Sequence, residues 1–141
     1  MDDLTILNEL HKGITMGMAS LELISDKTQD QKFKNDLSYQ YNQYQNSLND
    51  VNTKFQEKGE IPDDVPINTK LMGWTGIQLN TISDTSTSKL SEILIQGYDM
   101  GVIKGVKLLN ENPEASEPVK NILNGFVSMQ ENCINRLKKY L

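Results

Sequence analysis

A chain of 141 residues has the length of one ordinary domain and can bury a core of its own. Hydrophobic residues make up 37% and charged residues 23%, and the formal net charge is -5, a profile that fits neither a disordered chain nor a membrane-spanning one. Of the 14 basic residues only Arg136 is an arginine, so bidentate phosphate and base contacts are almost excluded and no nucleic-acid partner is expected.

The N-terminus, "MDDLTILNELHKG", opens acidic rather than with the basic region of a signal peptide. It runs directly into an aliphatic stripe at Leu7, Leu10, Ile14, Met18, Leu21 and Ile24. Steps of three and four mark one face of a helix from about Asp3 to Asp26, with Asp2 and Asp3 suited to its first turn. "SDKTQD" follows as a short polar connection, offering Thr28 or Asp30 as the next N-cap.

The second stripe is Phe33, Leu37, Tyr41, Tyr44, Leu48, Val51 and Phe55, and Gly59 in "EKGEIPDDVP" should end that helix. A connection this short makes the first two helices antiparallel neighbours. The third long helix, roughly 88–112, carries Leu90, Leu94, Gly97, Gly101, Gly105 and Leu108. The fourth uses Val119, Leu123, Phe126, Gln130, Cys133, Leu137 and Tyr140, with Pro118 near its first position. Each long segment spans about 24 to 29 residues, or roughly 36 to 44 Å.

Between the second and third helices lies a weaker amphipathic stretch, "INTKLMGWTGIQLNTI". Leu71, Trp74, Gln78 and Ile82 would line a short helix of about four turns, long enough to run back along the bundle. The third helix would then be parallel to the second. Alternatively the stretch is a first half of the third helix, broken at "SDTSTS". The crossover is preferred because it leaves four helices of matched length. The expected fold is all-α: one domain over residues 1–141, a four-helix bundle whose long crossover holds a short extra helix.

The opening "LNELHKGITMG", the block "KLMGWTGIQL" and the closing "MQENCINRLKKYL" resemble a group of small bacterial ferritin-like proteins classed only as a domain of unknown function. The resemblance covers nearly the whole chain, but its motifs are loose. It implies a ferritin-like four-helix bundle and no settled activity. Metal-binding members of that fold draw a Glu from each of two helices and Glu-x-x-His from each of the other two.

No register of the second helix supplies that pair: Tyr41 and Tyr44 point inward with Gln40 and Gln43 beside them. The fourth helix offers Gln130 and Cys133 instead, and the third offers Gln96 and Gly97, with Asp99 off the stripe. Neutral amides and phenols can satisfy themselves with hydrogen bonds where an unpaired buried carboxylate would be costly. The metal ligands therefore look lost, and no cofactor is expected. His11, Glu22 and Glu131 are the weak remaining metal candidates; His11 also reads as a rim residue, and Cys133 as a small core residue.

Gly97, Gly101 and Gly105 share a face of the third helix, and Gly13 and Gly17 repeat the spacing in the first. Close packing of these two helices is the preferred reading; the alternatives are a face for a second subunit, a groove for a small apolar ligand, or glycines tolerated without a role. The functional expectation is a non-enzymatic cytoplasmic bundle acting by association, with itself as a homodimer or with another protein. The alternative is a residual metal or small-ligand site in the bundle centre.

Overall fold

The structure, a computed structural model, describes residues 2–64 and 74–141. Helices α1 (Asp2–Lys27) and α2 (Gln31–Lys58) form one hairpin. The short helix α3 (Trp74–Thr81) leads to α4 (Thr87–Glu111) and α5 (Glu117–Leu137), which form a second hairpin ending in a 3-10 turn, Lys138–Tyr140. No strand occurs among the described residues.

Helix ends follow local chemistry. The Asp30 carboxylate accepts the amide of Phe33 at 2.9 Å and starts α2, while Thr28 Oγ1 takes the amide of Asp30. Gly59 ends α2 at φ 65°, a left-handed cap that a side chain would strain. Ser86 caps α4 through Lys89. Ser116 stands at the N-cap of α5, yet its hydroxyl makes no capping bond and donates to Asp3 instead.

The directions of the helices follow from contacts at each end. Asp3 bonds Ser116 of the α4–α5 loop and pairs with Lys58 at the end of α2, 2.9 Å away. Asp2 accepts the amide of Glu114. One end of the molecule thus collects the start of α1, the end of α2 and the turn from α4 to α5. At the other end Asp36, early in α2, meets Arg136, late in α5. Helices α2 and α4 therefore run the same way, and residues 59–86 carry the chain from one end to the other. Helix α3 packs against α1 and α4 in that passage, with Leu79 buried.

Within the described part of the predicted stripe, α3 buries Leu79 instead of Gln78, and Ile82 lies partly buried against the core. Leu71 falls outside the described residues. All six aliphatic positions predicted for α1 are buried, and Ile6 joins them. In α5 the predicted positions from Val119 to Leu137 are buried, with Tyr140 partly so. Among the described residues, no helix is long and apolar enough to cross a membrane.

The Asp36 carboxylate is 6% exposed and draws together residues from the end of α5 and the 3-10 turn that follows it. It accepts both Arg136 Nε and a terminal Arg136 nitrogen, Lys139 at 3.1 Å, and the Tyr140 hydroxyl. Burial works against its ionisation, but hydrogen bonds from Tyr140, Arg136 and Lys139 outweigh burial and hold its pKa below the ordinary value. The Arg136 guanidinium also lies 4.0 Å over the Tyr39 ring.

Asp3 behaves alike at the opposite end. Burial opposes ionisation, yet the bonds from Ser116 and Lys58 bring its pKa from 3.8 down to about 2. A carboxylate with a folded pKa below its unfolded one stabilises the fold above the unfolded pKa. That contribution is lost as pH falls through the folded value. Stability measured by urea unfolding should drop between about pH 4 and pH 2. Asp3→Asn should remove a share of that drop on the order of 1 kcal/mol, less than the full shift because solvent screens the pair.

Candidate functional site

At mid-height the bundle core turns from aliphatic to polar. Gln40 of α2 is fully buried, and its Oε1 accepts the Tyr98 hydroxyl of α4 at 2.7 Å. The Tyr44 ring lies 6.1 Å from that of Tyr98, stacked, and 5.6 Å from Phe126, edge-on. Gln130 of α5 is 4% exposed, with its amide against the α4 backbone at Gly101, while Cys133, one turn on, is fully buried against Met129. Gln40 Nε2, Ser91 Oγ and Gln130 Oε1 are buried without a hydrogen-bond partner among the described residues.

Every titratable group in this cluster is pushed towards its neutral form. Burial raises the phenols of Tyr44 and Tyr98 well above their usual range and the Cys133 thiol to about 11. At neutral pH Cys133 is a thiol and a poor nucleophile. The cluster can donate and accept hydrogen bonds, but it holds no ready base or anion.

Sequence spacing places α5 correctly, with Gln130 and Cys133 inward. In α2 the inward pair is Gln40 and Tyr44, four residues apart, instead of Tyr41 and Tyr44. Tyr41 turns to the rim, where its hydroxyl donates to Glu22 at 3.0 Å. In α4 the inward residue is Tyr98; Gln96 and Asp99 are exposed. Tyr98 and Ser91 were missed because both read as polar interruptions of the Leu90, Leu94, Gly97 pattern. A partner for Gln40 was the signal that could have found Tyr98.

His11 is half-buried with its ring edge-on to Phe55, 6.4 Å between centroids. Glu22 is exposed on α1 beside Tyr41, and Glu131 is exposed on α5. These three do not come together. Among the described residues no group of three His, Cys, Asp or Glu side chains is placed to hold a metal ion.

The glycine faces turn out to open a groove between α1 and α4 instead of closing it. Its volume is about 380 Å³, and Gly13, Gly17, Gly97, Gly101 and Gly105 all line it. Three of them make room for side chains reaching across from the other helices. A Cβ on Gly17 would come within 2.4 Å of the Tyr44 ring, on Gly105 within 2.6 Å of Val127, and on Gly101 closer still to the Gln130 amide. Gly13 differs, because a Cβ there would meet nothing within 4 Å.

Comparison with protein-family models, with curated proteins and with solved structures gives no match for this chain.

Two substitutions separate these roles. Gly13→Ala should stabilise the protein by up to about 1 kcal/mol, since it only removes the helix-interior penalty of glycine. Gly17→Ala gains the same propensity but must displace the Tyr44 ring, so it should destabilise by about 1 to 3 kcal/mol. Thermal unfolding of the two variants should shift in opposite directions. Loss of the Tyr98 hydroxyl tests the buried bond: Tyr98→Phe leaves the Gln40 amide with no partner and should cost about 1 to 3 kcal/mol. Combining it with Gln40→Met should recover much of that loss, and a double-mutant cycle reads the coupling.

Proposed function

We propose that this protein is a non-enzymatic, ferritin-like cytoplasmic bundle that acts by association, first of all with a second copy of itself. The observation carrying this reading is an apolar stripe on the outer side of α4. Met100, Ile103 and Val106 are 48%, 58% and 45% exposed, on successive turns of one helix. Scattered exposed aliphatics are ordinary, but large ones clustered on one face mark contact surfaces. Lys104 and Lys107 interleave with the stripe, giving it the polar edge common at interfaces. Two-fold pairing is the commonest way for a soluble chain to cover such a face.

The ferritin-like assignment is supported by two features. The helices α2 and α4 are parallel and joined by one long passage, the connectivity typical of that fold. Neutral amides and phenols occupy the bundle centre, the part of the fold in which metal-binding ferritin-like proteins carry carboxylates and imidazoles. A role by association fits a centre whose groups are uncharged and held in place by one another.

Sedimentation equilibrium at micromolar concentration should give a dimer. Exchanging Ile103 and Val106 together for glutamate should return the species to the monomer mass of 16.0 kDa without loss of helicity. A single 16.0 kDa species for the unmodified chain would overturn the self-association reading.

A further inference from the structure

We propose that the groove between α1 and α4 is a binding site for a flat, uncharged aromatic molecule bearing one N–H or O–H donor, of which indole is the simplest probe. The groove's volume, about 380 Å³, falls at the small end of the range for small-molecule sites. Its wall is mainly apolar, from Leu10, Met16, Leu21, Leu94, Met100 and Phe126. At Gly13 the α1 backbone is bare, with nothing within 4 Å of where a Cβ would stand, and this open part of the groove leaves room for a flat ring. Tyr44, Tyr98 and Phe126 present aromatic surface at its floor, and the Met16 and Met100 thioethers favour aromatic neighbours.

Gln130 fixes the polarity of the ligand. Its side chain is 96% buried by the exposure of 4%, and the amide lies against Gly101 in the floor of the groove. The Gln130 Oε1 has no partner among the described residues. A buried carbonyl left unpaired costs free energy that a ligand donor would restore. Charge is found only at the rim. Glu9 and Lys104 pair with each other across it at 2.6 Å, and Lys12 stands beside Glu9. An ion in the floor would lose its hydration with no opposite charge to meet, so the ligand is neutral.

The test titrates the full chain with indole and with 1-methylindole by isothermal calorimetry, against the unmodified protein, Gln130→Met and Gly13→Leu. Indole should bind saturably at one site per chain. Removing the donor, as 1-methylindole, or the acceptor, as Gln130→Met, should each weaken binding about tenfold. Gly13→Leu should abolish it, because its side chain enters the empty part of the groove; unchanged helicity would show that the fold survives. If Gln130→Met does not fold, the comparison of the two indoles carries the test alone. No saturable indole binding, or equal affinity for both indoles, would overturn the proposal. Conversion of a dimer to a monomer by Gly13→Leu, with no indole bound by either protein, would overturn it too and make the groove a seam between copies. Sedimentation of the Ile103 and Val106 double variant is read separately, so self-association through the outer stripe can fail without touching this result.

Discussion

The hydrogen bond from Tyr98 to Gln40 is the constraint on which the middle of this bundle depends. It joins the two hairpins through side chains 58 residues apart, at a level where neither group reaches water. Aliphatic contacts would allow the hairpins to slide by fractions of a turn at little cost. A buried phenol and amide would not, because each displacement leaves polar atoms unpaired. The register between α2 and α4 is thereby specified. The neighbouring rings of Tyr44 and Phe126 then have one arrangement in which to pack.

Large polar side chains in a core need space opposite them, and here the glycines provide it. Tyr44 reaches from α2 to the backbone of α1 at Gly17, and Gln130 reaches from α5 to the backbone of α4 at Gly101. Each interior glycine costs about 1 kcal/mol of helix propensity. That loss is offset where the glycine admits a ring or an amide that packs into the centre. Gly13 has no such side chain to admit, and its cost is offset by nothing in the fold itself. With the unpartnered Gln130 oxygen, it is what the proposed ligand of the α1–α4 groove would use.

Helix positions and most of the aliphatic core were legible in the sequence, because steps of three and four repeat cleanly through α1 and α5. The centre was less so. Gln40 and Tyr41 are adjacent on the helix, and hydrophobicity favours the tyrosine as the inward residue. Tertiary hydrogen bonding decided otherwise: Gln40 found Tyr98, while Tyr41 found Glu22 at the rim. The glycine spacing could be read, but not what lay opposite it. Three partners of the glycines sit on other helices, and spacing within one helix carries no information about them. Ser116 shows the same limit at a helix end, as a residue of capping type whose hydroxyl serves Asp3 instead.

Charge and polarity are divided along the long axis. Ionised groups hold the two ends, through Asp3 with Lys58 and Ser116 at one and Asp36 with Arg136, Lys139 and Tyr140 at the other. The middle contains amides, phenols and a thiol, all held neutral by burial. Acid therefore acts first on the ends, where carboxylates lose their partners, and not on the floor of the groove. A surface without a titrating group keeps one pattern of donors and acceptors across the whole range in which the ends stay ionised. The bundle can thus lose stability at low pH while the chemistry of its central surface is unchanged, which separates what holds the protein together from what it presents.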